Sequence, residues 1–195
     1  MNIHQITRAA CVALSLLPTA SLVQAENADP GNMVIYISPQ EYKYSVKLWH
    51  FYYDYWFNQG PAVEPVATQI LGSEFGDVGM CEGNTAGKTL VWIKPSMFYN
   101  PHMRTFYGKI TANVFTGSGK PLGVYVGESQ KTGFLDVFPA SQIDATYKLA
   151  MQNVAEKMKA DQALQAAISK GVPANETSTP CAMVSLLPAF KNPAM

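Results

Sequence analysis

The order of patterned segments predicts an α+β fold, an antiparallel sheet with two main helices packed on one face. Three observations carry this. Extended runs flank Gly117-Ser118-Gly119, which is a hairpin signal. Ile143, Tyr147, Ala150, Met151, Val154 and Met158 recur at the three- and four-residue steps of a helix with one apolar stripe. The helical segments also stand apart from the run of strands instead of alternating with them, which separates α+β from a doubly wound sheet.

The elements follow in order. Glu26 to Asn32 is polar and contains Pro30-Gly31, a flexible lead-in. Met33 to Ile37 is a short apolar run ending at Ser38-Pro39, a strand or an extended arm. The densest aromatic stretch runs from Tyr42 to Phe57. Its composition favours a strand over Ser45 to Phe51, with Val46, Leu48 and His50 on one face, Lys47, Trp49 and Phe51 on the other, and both faces at least partly covered. Asn58-Gln59-Gly60-Pro61 reads as a turn, with Pro61 opening a helix that carries Val63, Val66, Ala67, Ile70 and Leu71 and ends between Gly72 and Gly76.

Asp77 to Cys81 is short enough for a brief strand, and Glu82 to Gly87 is a loop. Thr89 to Ile93 is a clearer strand, stopped at Lys94-Pro95. Met103 to Thr116 and Leu122 to Val126 are the two arms of the hairpin. After the connection from Gly127 to Pro139, Ser141 caps the long helix that ends beyond Met158. A second helical piece, Asp161 to Lys170, carries Leu164, Ala167 and Ile168 and stops at Gly171-Val172-Pro173. The tail from about residue 171 is rich in Pro, Ser and Thr, with Cys181 and Met183 to Leu187 as its tie to the body.

The first 25 residues read as an address. Arg8 supplies a positive start, Ala9 to Leu17 an apolar run, and Val23-Gln24-Ala25 a cleavage site before Glu26. Pro18, Thr19 and Ser21 cut the run well short of the roughly 20 apolar residues that a membrane span needs. The mature chain is therefore expected to be a single domain over residues 26–195, without a transmembrane segment, in a bacterial periplasm or outside the cell. Cleavage removes Cys11 and leaves Cys81 and Cys181 in an oxidising compartment. One disulfide is the economical reading. Two buried thiols or a redox pair are the alternatives, although the Cys-x-x-Cys spacing of a redox pair is absent.

Composition limits the function classes. The chain balances 14 basic against 14 acidic residues, 48% of it is hydrophobic and only 14% charged. Such a chain folds, and it has no charge excess with which to hold a nucleic acid. Gly83 to Thr89 resembles a phosphate-binding loop, but only three residues separate its first glycine from Gly87-Lys88-Thr89, and Lys88 and Thr89 open a strand rather than a helix. No nucleotide, cofactor or metal is expected. His50 and His102 are the only histidines after residue 25, and neither has the neighbours of a metal site or a nucleophile system. They read as a satisfied or solvent-facing pair. The scattered acids show no spacing that singles out a catalytic pair, so no catalytic residue is assigned. The aromatic stretch is the strongest candidate for a binding surface, since exposed rings stack on sugars, lipids or partner proteins. The candidates are Trp49, Tyr52, Tyr53, Tyr55, Trp56, Tyr99 and Tyr107, with about half the stretch expected in the core.

From Lys109 to Ile168 the sequence resembles the C-terminal half of YajG-type lipoproteins and ABC-transporter auxiliary lipoproteins of the bacterial envelope. The resemblance lies in Lys109-Ile110-Thr111-Ala112-Asn113-Val114-Phe115 with Gly117 to Lys120, and in the returning strand Gly123 to Gly127. It continues through Ile143-Asp144-Ala145-Thr146-Tyr147-Lys148-Leu149-Ala150-Met151-Gln152 and the Asp161 to Ile168 helix. It implies two helices over a sheet and a non-catalytic envelope role, in assembly or in lipid and glycolipid traffic, with an envelope protein or a hydrophobic or glycan ligand as partner. Such proteins carry a lipid on the first mature cysteine, whereas here Glu26 opens the mature chain. The leading expectation is a secreted periplasmic accessory or binding protein. The rivals are a secreted hydrolase whose acids converge in the fold, with Asp54, Glu64 and Asp77 to be checked, and a carbohydrate- or protein-binding module using the aromatic residues.

Overall fold

The computed structural model describes residues 31–83, 85–170 and 179–187. The first 25 residues expected to be a signal, the lead-in up to Pro30, Gly171-Val172-Pro173 and the chain after Leu187 lie outside the described residues. The fold is α+β, as the segment order predicts. A five-stranded sheet runs in the order β4-β1-β5-β6-β7, from β1 (Gly31–Tyr36), β4 (Val78–Met80), β5 (Gly87–Asn100), β6 (Thr105–Thr116) and β7 (Pro121–Thr132). A separate hairpin pairs β2 (Ser45–Trp49) with β3 (Asp54–Asn58).

The sheet is mixed, not purely antiparallel. β1 lies parallel to both β4 and β5, while β5-β6 and β6-β7 are antiparallel. The reason is the connection. Between β1 and β4 the chain passes through α1 (Pro39–Lys43), the β2–β3 hairpin and α2 (Gln59–Phe75), long enough to return β4 in the direction of β1. The short run that could have been an arm is therefore an inner strand, with Met33, Val34 and Ile35 all buried.

Pro95 does not stop β5. The strand continues to Asn100 and stays in register with β6, Pro95 opposite Ile110. Pairing with β1 ends at Trp92, so Pro95 sits where β5 borders a ladder on one side, and a missing N–H is tolerated at such an edge. β2 is shorter than its aromatic content suggests, because the His50 N–H donates to the Tyr53 carbonyl at 3.1 Å and closes a turn. Its outer face is also bare: Val46 and Leu48 are buried, but Ser45, Lys47 and Trp49 are exposed. α1 carries no apolar periodicity over its five residues; it forms on the Ser38 cap, whose hydroxyl accepts from the Glu41 N–H.

α2 and α3 (Pro139–Ala160) cover one face of the sheet. α2 begins two residues before Pro61, with Gly60 seated against the Tyr42 backbone, and Val63, Val66, Ala67, Ile70 and Leu71 are all buried. All six stripe residues of α3 are buried too, together with Thr146 and Ala155. The helix starts at Pro139, earlier than a Ser141 cap would put it, and the Ser141 N–H donates to the Phe138 carbonyl. Gly127 lets α3 approach β7: a Cβ there would run into the Ala150 carbonyl oxygen and come within 2.7 Å of a Val154 methyl. Deep in the layer, the Tyr147 hydroxyl donates to Gln59 Oε1 at 3.1 Å and ties the two helices. Burial is the main cause that holds the Tyr147 phenol far above its usual range.

α4 (Gln162–Lys170) follows at once. Asp161 starts it, its Oδ1 accepting from the Ala163 and Leu164 N–H groups while Oδ2 accepts from the Tyr125 hydroxyl at 2.7 Å. On the opposite face of the sheet lies a smaller cluster of Val34, Leu90 and Phe115, flanked by Tyr36, Trp92 and Leu187. A 3₁₀ helix over Pro180–Leu186 packs there, and the Cys81–Cys181 disulfide, with Cα atoms 5.5 Å apart, holds it.

Candidate functional site

Strands β5, β6 and β7 share two ends. At one, β5 begins at Gly87 and β6 turns into β7; at the other, Asn100, Thr105 and Thr132 lie side by side. Three connections meet at this second end: the β2–β3 tip (residues 50–53), the β5–β6 turn (residues 101–104) and the β7–α3 loop (residues 133–138). Aromatic contacts join them. The Phe51 ring meets His102 edge-on at 4.8 Å, and His50 lies 6.5 Å from Tyr99. The Tyr99 hydroxyl donates to the Gly133 carbonyl at 3.2 Å, and the Arg104 guanidinium sits 4.9 Å from the centre of the Phe134 ring.

This end concentrates exposed apolar surface. Trp49, Phe51, Tyr52 and Tyr53 come from the hairpin, Phe98 and Met103 from the β5–β6 arm, and Phe134, Val137 and Phe138 from the last loop; together they are nine of the fourteen large apolar side chains exposed among the described residues. Tyr52 is 89% exposed and Phe138 80%. Patches of this extent mark interaction surfaces more often than chance exposure, because single exposed apolar residues scatter. The backbone adds a second mark. Arg104 (φ 51°) and Phe138 (φ 48°) are the two non-glycine residues with positive φ among the described residues, and both lie in these loops. A left-handed backbone costs an ordinary residue about 1–2 kcal/mol, and an exposed ring recovers little of that by packing.

The candidate residues divide. Trp49, Tyr52, Tyr53 and Trp56 are exposed, with Trp56 on the outer face of the hairpin and the Lys47 ammonium 5.8 Å from its centre. Tyr55 turns inward against the core. Tyr99 is only 5% exposed and belongs to that core, so it cannot meet a ligand directly; it braces the three loops from beneath. Tyr107 is half-buried and stacked on Phe98, the ring centres 4.5 Å apart. Burial raises the phenols of both Tyr53 and Tyr99, and the carboxylate of Asp136 on the third loop pushes in the same direction. Both therefore stay neutral donors at physiological pH. The residues that sequence reasoning missed are Phe51, Phe98, Met103, Phe134, Val137 and Phe138. Phe51 lies inside the aromatic stretch that carries the other candidates, and the signal for the last three is Phe134-Leu135-Asp136-Val137-Phe138, unusually apolar for a connection.

The histidines differ from their reading in one respect. His102 is exposed in its turn, as expected, but His50 is half-buried and its Nδ1 has no hydrogen-bond partner among the described residues; its ring lies 5.0 Å from Tyr53. The acids do not gather. Asp54 pairs with Lys47 at 2.9 Å, Glu64 accepts from the Tyr42 hydroxyl at 2.7 Å, and Asp77 follows the far end of α2. Asp54 lies beside the β2–β3 tip at the Asn100 end, whereas the Asp77 carbonyl accepts from the Met33 N–H, opposite Thr89 near the Gly87 end, so the two stand toward opposite ends of the sheet and not as a carboxylate pair. Among the described residues no three His, Cys, Asp or Glu side chains are grouped to hold a metal. Lys88 and Thr89 lie within β5, the strand context that separates this loop from a phosphate cradle.

No family model matches the sequence, and no curated protein matches it. Solved structures similar to the chain include PelC, a dodecamer, from Paraburkholderia phytofirmans, at 12% identity, 64% of this chain and 89% of that one, with a TM-score of 0.40. A protein of the DUF330 family from Xanthomonas campestris is similar at 6% identity over 72% of this chain and 85% of that one, TM-score 0.44. A Caulobacter crescentus CB15 protein provisionally described as a lipoprotein is similar at 9% identity over 72% and 94%, TM-score 0.38. At these scores the likenesses carry no argument about what this chain does.

Proposed function

We propose that the chain is a non-catalytic accessory protein of the bacterial envelope, exported to the periplasm, that works by docking through its aromatic end. The observation that carries this is the gathering of nine exposed apolar side chains at one end, seven on three adjoining loops and Trp49 and Phe98 on the strands that lead into them, with strained backbone in two of the loops at Arg104 and Phe138. Folding needs neither the exposure nor the strain, and features that a fold does not need point to a function. The Cys81–Cys181 bond supports an oxidising compartment, and the leader-like first 25 residues supply the route. No described helix is long and apolar enough to cross a membrane.

A hydrolase finds less support, because Asp54 and Glu64 already have partners and Asp77 stands toward the opposite end of the sheet from Asp54. A sugar platform finds less too: Phe98 and Tyr107 cover each other's faces, and Phe51 meets Trp49 and His102 edge-on, so these rings form no common flat stacking surface. The test is site-specific photo-crosslinking in intact cells, with the reactive group at Tyr52 or Phe138 and a control at Leu149, which is exposed on α3. Adducts from both loop positions and none from Leu149 are expected. Equal labelling at all three sites would remove the docking role.

A further inference from the structure

We infer that the aromatic end seats on the surface of a lipid bilayer bearing anionic headgroups; this rests on the docking role proposed above and names its partner. Shape is the first reason. Seven of the nine exposed side chains ride on three separate connections, and a fluid interface conforms to side chains offered from separate tips, where a protein partner would need a matched hollow. Residue type is the second. Tyr52 and Phe138 are the most exposed of these side chains, while the tryptophans lie along the hairpin behind its tip: Trp56 lies two residues behind Asp54, the partner of Trp49, which is about 7 Å at strand rise. Rings graded over that depth match the headgroup-to-acyl boundary, some 5–10 Å thick, in which amphipathic surfaces lodge and where Trp and Tyr gather.

Charge is the third reason. On these loops and the end of β7, Arg104 and Lys131 stand against Asp136, since Asp54 is already paired with Lys47. The Arg104 guanidinium lies over the Phe134 ring, which holds a cation against the exposed aromatic surface. An anionic headgroup is the ligand that fits both.

The experiment is flotation of the exported full chain with vesicles of phosphatidylethanolamine and phosphatidylglycerol, read by tryptophan emission and by quenching from bromine-labelled acyl chains. Expected are co-flotation that tightens with the phosphatidylglycerol fraction, a blue shift, and quenching by shallow bromines. Tyr52→Ser combined with Phe138→Asn removes two exposed rings without touching the core, and is expected to weaken partitioning by about tenfold or more. Leu186→Ser, exposed away from this end, is expected to bind like the parent. A parent chain that never floats, or a double variant that floats as well as the parent, overturns the bilayer reading. Failure to float together with a discrete protein adduct from Tyr52 overturns the bilayer and leaves docking standing. Failure of both removes both.

Discussion

The two ends of strands β5, β6 and β7 are built by opposite rules. At the Gly87 end, the β6–β7 turn closes on itself: the Thr116 N–H donates to the Lys120 carbonyl, Gly117 to Lys88, and the Thr116 and Ser118 hydroxyls meet at 2.9 Å. Its left-handed position is Gly119 (φ 84°), where a Cβ would rest in ordinary van der Waals contact with Met183 and Leu187 of the disulfide-held segment. At the Asn100 end, about 40 Å away at strand rise, the turn is equally well bonded, Asn100 Oδ1 accepting from the His102 and Met103 N–H groups. There, however, the left-handed positions are held by Arg104 and Phe138, and large rings face outward. At the Gly87 end glycine takes the left-handed site of the turn, and Val34, Leu90 and Phe115 are covered by the disulfide-held segment. At the Asn100 end two ordinary residues take the left-handed sites and the rings beside them stay exposed.

Removing the staple should give the largest effect. Cys81→Ser with Cys181→Ser opens a loop with a sequence separation of 100 and is expected to cost about 3–5 kcal/mol in chain entropy, read as a loss in denaturant midpoint. The vesicle and crosslinking signals of the other end should survive in the fraction that remains folded. Gly127→Ala, midway between the ends, is expected to cost about 2–3 kcal/mol by pushing the Ala150–Val154 turn off β7. A cost below half that would mean α3 can slide, and its seat would not depend on the glycine.

At the aromatic end the sign reverses. Phe138→Asn places a residue that tolerates positive φ at the start of α3 and is expected to stabilise the fold by up to about 1 kcal/mol while weakening docking. Thermal melts beside flotation would show the trade. A destabilised variant would mean the ring packs in a way its exposure hides, and the contrast between the ends would fail there. Tyr52→Ser should lie within about 0.5 kcal/mol of the parent in stability.

The smallest effect belongs to pH. The Asp161 carboxyl is held below its ordinary 3.8, first by the Tyr125 hydroxyl and then by the Leu164 N–H. Its contribution is present above the unfolded value and is lost as pH falls through the lower folded value, so stability should slope downward only below about pH 4. Asp161→Asn keeps an α4 cap and should flatten that limb in melts taken against pH. An unchanged slope would assign it to other carboxylates.

Legibility in the sequence followed the same division. The α3 stripe from Ile143 to Met158, the inward residues of α2 and the arms of the β6–β7 hairpin were readable, because each repeats with the period of its own element. α1, held by one capping serine, and the passage of β5 through Pro95 were not, since neither shows in apolar pattern. Tyr99 read as a surface ring and is core; Phe134, Val137 and Phe138 read as mere connection and are surface. Ring exposure depends on which segments arrive beside a ring, and no local pattern states that.

By itself, then, the sequence determined the class of the fold and the faces of its long helices and hairpin. The tertiary structure alone decided that β1 enters the sheet parallel to two neighbours, that Cys81 meets Cys181, and that three loops remote in sequence bring their rings to one end. Periodicity records which way a side chain faces within its own element, whereas pairing and convergence are set by the chain's path between elements, which no short stretch of residues encodes.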